Sequence, residues 1–193
     1  MLMIFLFLLA GGLLGLYTIR WYEPGIQFSY RELTIAATCV IGGEVLYCGS
    51  PIPASMPLGM VMGLLCSCTV TDALRSWLPL PLTLPLLAAS AWYVRVYQPW
   101  LLIPGLIWAV IWSVFYGVRY LLYRYKNGNE DECPGSGDIL LAGAAGLCCH
   151  VFSGLVLTLA ITGHQLWGTL RHHHIAPFGP WLAVSVAVQL LYF

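Results

Sequence analysis

Long apolar runs separated by short polar or Pro/Gly-rich joints dominate this sequence. The first run, residues 1–19, reads MLMIFLFLLAGGLLGLYTI, and a helix of about 20 such residues spans a bilayer. Seven further apolar stretches follow at 33–48, 54–71, 80–94, 98–118, 138–150, 152–169 and 177–193. The runs predict an all-α, polytopic membrane bundle of about eight transmembrane helices, with six or seven as alternatives. We see one domain, residues 1–193.

Composition excludes the common soluble classes. Apolar residues make up 60% of the chain and charged residues only 8%, against about 45–50% and about 25% in a typical soluble domain. A soluble fold of this size leaves roughly 30% of its surface in water and cannot hide so much apolar area. The formal net charge is zero, so we expect the lipid bilayer, and no nucleic acid, as a partner.

The basic residues predict an orientation. If the N-terminus lies outside, seven of the eight Lys and Arg residues fall on the inner side and only Arg95 falls outside. Cytoplasmic loops carry an excess of Lys and Arg in membrane proteins. This layout places both termini outside, and it places Asp72, Asp138 and a polar loop over 119–137 at the cytoplasmic face.

Two aspartates stand at the boundaries of apolar runs. Asp72 ends GMVMGLLCSCTVTD, and Asp138 follows Gly135-Ser136-Gly137 and opens ILLAGAAGLCC. An ionisable group at such a boundary is a candidate functional residue. Two neighbouring carboxyls can share a proton, so that one acts as a base on water and the other donates to a carbonyl. The alternative interpretation is that Asp138 only caps a helix N-terminus.

Three motifs carry a family resemblance. They are DALRSWLP at 72–79, GSGD at 135–138 and APFGPWLA at 176–183. In this order they resemble the motifs of type IV prepilin peptidases, the G-x-G-D class of membrane aspartic proteases. The resemblance implies that Asp72 and Asp138 are catalytic. It also implies supporting or substrate-binding roles for Gly135, Gly137, Pro177, Phe178, Gly179 and Pro180.

The activity implied by the resemblance is aspartic endopeptidase cleavage of the short basic leader of prepilin or pseudopilin proteins, just after a glycine. It implies a multi-pass protein of the bacterial inner membrane with its active site at the cytoplasmic face, serving a type IV pilus or protein secretion. No cofactor and no metal are expected, because the carboxyls activate water directly.

Two positions depart from the family pattern. A lysine usually stands two residues after the G-x-G-D aspartate, and here that residue is Leu140. Many members also carry a cytoplasmic insert with paired C-x-x-C motifs after the first helix, where this chain has only the joint at about 20–32, without cysteine. The insert is associated with N-methylation of the product, so we expect a peptidase that lacks it.

Other functions remain open at this stage. A small proton- or cation-coupled carrier would use Asp72 and Asp138 at a broken helix, and Glu44 is the candidate ionisable group nearer the bilayer midplane. A scaffold would use both aspartates as caps. Arg75 either steers a group near the aspartates or anchors the inner face. We interpret the remaining polar clusters as solvated joints, the second able to attract a basic leader: His172-His173-His174 and Glu130-Asp131-Glu132.

Overall fold

The computed structural model describes residues 1–127, 136–171 and 178–192. Over these ranges the chain forms α-helices joined by short turns and two 3₁₀ segments, Pro99–Leu101 and His150–Phe152, with no strand. The all-helical prediction is confirmed. The helices are α1 (Leu2–Tyr22), α2 (Tyr30–Cys48), α3 (Met56–Arg75), α4 (Leu80–Tyr97), α5 (Leu102–Asn127), α6 (Ser136–Cys149), α7 (Ser153–Arg171) and α8 (Gly179–Tyr192).

Local sequence signals explain where two of these helices begin and end. Ser29 and Glu32 form a capping box at the start of α2, which satisfies backbone N–H groups left open by the first turn. Ser55 accepts a hydrogen bond from the Leu58 N–H at the start of α3. At the other end of α3, Ser76 takes the left-handed conformation, with φ 54°, and terminates the helix.

One predicted boundary is wrong. The polar segment 119–137 was expected to be a loop, but its first nine residues continue α5 to Asn127. The stretch RYLLYRYKN contains neither glycine nor proline, and residues such as Leu, Arg and Lys have good helix propensity. The helix therefore continues past the apolar run that indicated its end, and leaves a shorter connection to α6.

Four helical segments are long and apolar enough to cross a membrane. They are Leu2–Tyr22, Met56–Arg75, Pro99–Leu122 and Ser136–Leu166, and Gly179–Tyr192 is a shorter apolar helix. The last long segment comprises α6, the 3₁₀ segment and most of α7. These helices agree with a membrane protein. Eight crossings remain a prediction.

A single hydrophobic core contains residues from all eight helices. Helices α1 and α3 run parallel, and their backbones meet where a side chain on Gly11 would collide with the Gly63 carbonyl. Ser67 on α3 donates a hydrogen bond to the Gly11 carbonyl oxygen at 2.7 Å. Small residues at such crossings are typical of helices packed in membranes, where close van der Waals contact stabilises association.

The directions of the other helices follow from their contacts. Gly12 and Gly43 of α1 and α2 face Val40 and Leu8 respectively, so these two helices are antiparallel. Further antiparallel contacts join α5 to α6 and α7 to α8. As a result the ends of α1 and α3 lie with the starts of α2, α6 and α8; we call this part of the bundle the aspartate end. At the opposite end Tyr192 donates to the Leu46 carbonyl.

The α1–α3 crossing gives a testable prediction for Gly11→Ala. The added methyl group has no space against the Gly63 backbone, so the helices must separate. We expect a loss of about 1–3 kcal/mol in the free energy of unfolding, the range for overpacking. Denaturant unfolding in mixed micelles measures it. The control is Gly42→Ala, where nothing lies within 4 Å and a helical alanine gains up to about 1 kcal/mol. Equal stability of the two variants would contradict the close crossing.

Candidate aspartate site

Asp72 lies in the last turn of α3 and is almost completely buried, with 5% of the residue exposed. Its Oδ2 accepts a hydrogen bond from the Gly179 backbone N–H at 2.6 Å, and the backbone of Phe178 also interacts with the carboxyl. Gly179 is the first residue of α8. A buried carboxyl needs such partners, and the N-terminus of a helix offers unpaired N–H groups with a favourable dipole.

Glycine at position 179 is what permits this approach. A Cβ at this position would lie 3.0 Å from Asp72 Oδ2 and 3.1 Å from its Cβ. Any side chain would therefore press on the carboxyl that the backbone N–H binds. The sequence placed Phe178, Gly179 and Pro180 among the supporting residues, and the structure brings the first two to Asp72, while Pro180 is the next residue of α8.

Asp138 reaches the same region from α6. It lies in the first turn of that helix and is half-buried. The preceding residue, Gly137, packs so closely on the Leu78 carbonyl that a Cβ there would overlap it. This contact places the start of α6 beside the segment that follows α3. The carboxyl of Asp138 comes within electrostatic range of that of Asp72. The structure thus brings together two residues 66 positions apart in the sequence.

Aromatic side chains from α5 and α7 pack on the ring of Phe178, the residue just before α8. The ring of Tyr116, on α5, lies 6.2 Å from that of Phe178, centre to centre. His164, on α7, meets the same Phe178 ring edge-on at 5.8 Å. Tyr116 is also within electrostatic range of Asp138. The sequence did not identify Tyr116, since a tyrosine in an apolar run is usually an interfacial or core residue.

Arg75 forms ion pairs just beyond Asp72. Its Nε lies 3.0 Å from Glu23 Oε2, and its Nη1 lies 2.8 Å from Glu32 Oε1. The Glu32 carboxylate also accepts hydrogen bonds from the Ser29 N–H and hydroxyl. The Arg75 guanidinium thus binds acids of the chain itself, and the two roles considered for it from the sequence stay predictions. The pairs connect the last turn of α3 to the joint between α1 and α2.

The same contacts set the charge of Glu32, which precedes the apolar stretch beginning at residue 33. Hydrogen bonds from the Ser29 backbone and from Arg75 lower the pKa of Glu32 to about 2. Because this is below the ordinary value of 4.5, the stabilisation is fully present above about pH 4.5 and is lost as the pH falls through about 2. The ion pairs are therefore intact near neutral pH.

Glu44 does not join the aspartates. It lies one turn before the end of α2, at the opposite end of the bundle. One of its carboxyl oxygens is buried without a hydrogen-bond partner, and the other is 3.9 Å from the Cys48 sulfur. In the described part of the chain, no group of three or more His, Cys, Asp or Glu side chains could hold a metal ion. Other predicted residues lie outside the described ranges: Gly135, Pro177, 130–132 and 172–174.

No protein-family model matches this sequence, and neither a curated protein nor a solved structure matches it either. The described residues form helices only, and several of these helices are apolar enough to be compatible with a membrane protein. The geometry of the site alone therefore has to support any assignment of function. Two chemistries fit it: a carboxyl pair that shares a proton, and two helix caps that only stabilise the bundle.

Removing the Arg75 ion pairs should destabilise the aspartate end. For Arg75→Met, which keeps much of the apolar stem, we expect the free energy of unfolding to fall by about 1–3 kcal/mol, because hydrogen bonds to charged groups are lost at a mostly buried position. Thermal unfolding in detergent measures the change. Arg31→Met is the matched control, since Arg31 is exposed. An equal effect of both variants would show that the Arg75 pairs contribute nothing specific.

Proposed function

We propose that this chain is a membrane-embedded aspartic endopeptidase that removes short basic leaders from prepilin-like proteins. The observation that carries the proposal is the approach of the Asp72 and Asp138 carboxyls at the aspartate end of the bundle. The motif resemblance agrees with it, since Asp72, Asp138, Phe178 and Gly179 come from three separate stretches of sequence and gather at one place.

The two carboxyls have the different surroundings that different roles require. Asp72 is buried and bound by the Gly179 N–H, whereas Asp138 is half-buried in the first turn of a helix. In the proposed reaction the ionised carboxyl takes a proton from a water molecule, and the water oxygen attacks the scissile carbonyl carbon. The protonated carboxyl donates to the carbonyl oxygen, which gives a tetrahedral diol. As the C–N bond breaks, the carboxyl that took the water proton passes it to the leaving amide nitrogen, and the other carboxyl regains a proton from the diol as the new carboxyl end of the leader forms. No other reactant is needed.

The proposed topology has eight crossings, with both termini outside and the aspartate end in the cytoplasm of a bacterium. Arg20, Arg31 and Arg75 all stand near this end, in agreement with the excess of basic residues in cytoplasmic loops. A prepilin or pseudopilin would then place its apolar helix in the inner membrane and its basic leader in the cytoplasm. The cleavage point would lie level with the two aspartates.

Reporter fusions test this orientation. A fusion after Asn127, at the end of α5, should report a cytoplasmic position, and one after Gln98, between α4 and α5, should report the outer side. The expected pattern follows from the antiparallel helices and the basic residues near the aspartate end. A periplasmic signal from the Asn127 fusion would place the aspartates on the wrong face for leader cleavage.

A scaffold is the second candidate, and the Asp72–Gly179 hydrogen bond favours it because a cap alone would explain the contact. A carrier has less support. Its third ionisable group would be Glu44, which lies at the end of the bundle opposite to Asp72.

Asparagine substitutions separate the enzyme from the scaffold. An asparagine at 72 still accepts the Gly179 hydrogen bond through its amide oxygen, but it cannot ionise. We expect Asp72→Asn and Asp138→Asn each to abolish cleavage of a reconstituted prepilin-type precursor while thermal unfolding stays near that of the wild type. The double variant should be no worse than either single variant, because residues that act as one unit are not additive.

Glu44→Gln is the matched control, a membrane carboxyl away from the site, and it should retain cleavage. Near-normal cleavage by Asp72→Asn would overturn the aspartic mechanism. If cleavage and thermal stability instead fell together in Asp72→Asn and recovered together in stabilising lipid, the aspartates would be caps, as the scaffold requires.

A further inference from the structure

We infer that Tyr116 is a positioning residue for the aspartate pair, acting through the ring of Phe178. The inference rests on the proposed function, because it concerns the catalytic rate at that site. Tyr116 lies on α5 and is 4% exposed, although most of its helix faces outward. It lies beside Phe178 and within electrostatic range of Asp138.

The connection from Tyr116 to Asp72 consists of three consecutive contacts. The Tyr116 and Phe178 rings are 6.2 Å apart and inclined by 30°. Phe178 is joined through its peptide bond to Gly179, and the Gly179 N–H donates to Asp72 Oδ2 at 2.6 Å. Since peptide units are planar and stiff, a shift of Phe178 moves the N–H that holds the carboxyl.

His164 also contacts the Phe178 ring edge-on, with an angle of 87° between the two ring planes. The ring is therefore held by α5 and α7 at once, just before α8 begins. Aromatic pairs of this geometry contribute specific orientation in addition to burial. Without the Tyr116 ring, Phe178 loses its contact with α5, the helix that also brings Tyr116 near Asp138. The relative placement of the two carboxyls then depends on fewer contacts.

Catalysis is more sensitive to such a displacement than folding is. A misplacement of about 1 Å can lower a rate by about 100-fold. For Tyr116→Leu, which keeps an apolar side chain but removes the ring, we expect kcat to fall by about 10- to 100-fold. KM should change little, since Tyr116 is almost completely buried. Tyr116→Phe keeps the ring and should restore most of kcat.

The experiment compares Tyr116→Leu with Tyr125→Leu in the purified full-length protein in lipid nanodiscs, using a prepilin-type precursor as the probe. Tyr125 is an aromatic residue of the same helix, but it is 90% exposed, so its loss should leave kcat unchanged. Phe178→Leu removes the other partner of the ring pair and should lower kcat similarly. The double variant of Tyr116 and Phe178 should be no slower than the slower single variant.

Hydrogen–deuterium exchange gives a readout that does not depend on activity. Loosening of Phe178 should speed exchange of the Gly179 amide, which is protected by its bond to Asp72, in Tyr116→Leu and not in Tyr125→Leu. Unchanged kcat and exchange in both Tyr116→Leu and Phe178→Leu would overturn the inference. An active Asp72→Asn protein would overturn the proposed function instead, and the exchange result would still decide whether Tyr116 positions Asp72.

Discussion

The hydrogen bond between the Gly179 N–H and Asp72 fixes two parts of the bundle that are far apart in sequence. A carboxyl buried at the end of α3 needs a donor, and the start of α8 has N–H groups without intrahelical partners. The Asp72 carboxyl therefore gives the Gly179 N–H an acceptor, and the N–H gives the carboxyl a donor, in an apolar environment. Because a Cβ on Gly179 would lie only 3.0 Å from Asp72 Oδ2, glycine also lets α8 approach α3 closely at this point.

The contacts around this bond divide into polar and apolar groups. At the aspartate end, Arg75 ties the last turn of α3 to Glu23 and Glu32, where charged side chains remain partly in contact with water. Deeper in the bundle, Gly11 and Gly63 bring α1 and α3 together through backbone contact. Ion pairs thus fix the partly exposed end of α3, and close packing fixes its buried part around Gly63, where a charged side chain would be destabilising.

The sequence predicted helices well, because apolar runs bounded by caps and Pro/Gly joints specify them directly, as Ser29 does for α2. It pointed to Asp72 and Asp138 by their place at the boundaries of apolar runs and by the motifs, and the structure brings these two residues into electrostatic range, while their catalytic role stays a prediction. It failed at the end of α5, where polarity indicated a loop although propensity favours helix. It also could not show the Arg75 pairs or Tyr116, since contacts between residues 43 to 62 positions apart follow from helix packing and leave no local pattern.

Leu140 stands where the family that the motifs resemble usually has a lysine. Residues two positions apart on a helix point to different sides, so a side chain at 140 does not face the same way as Asp138 in the first turn of α6. The surroundings of the Asp138 carboxyl are then set by other elements: Asp72 on α3 and Tyr116 on α5 are both within electrostatic range of it. A basic group at 140 is therefore not what brings the two aspartates together. Their approach depends on the start of α6 against Leu78 and on the start of α8 against Asp72.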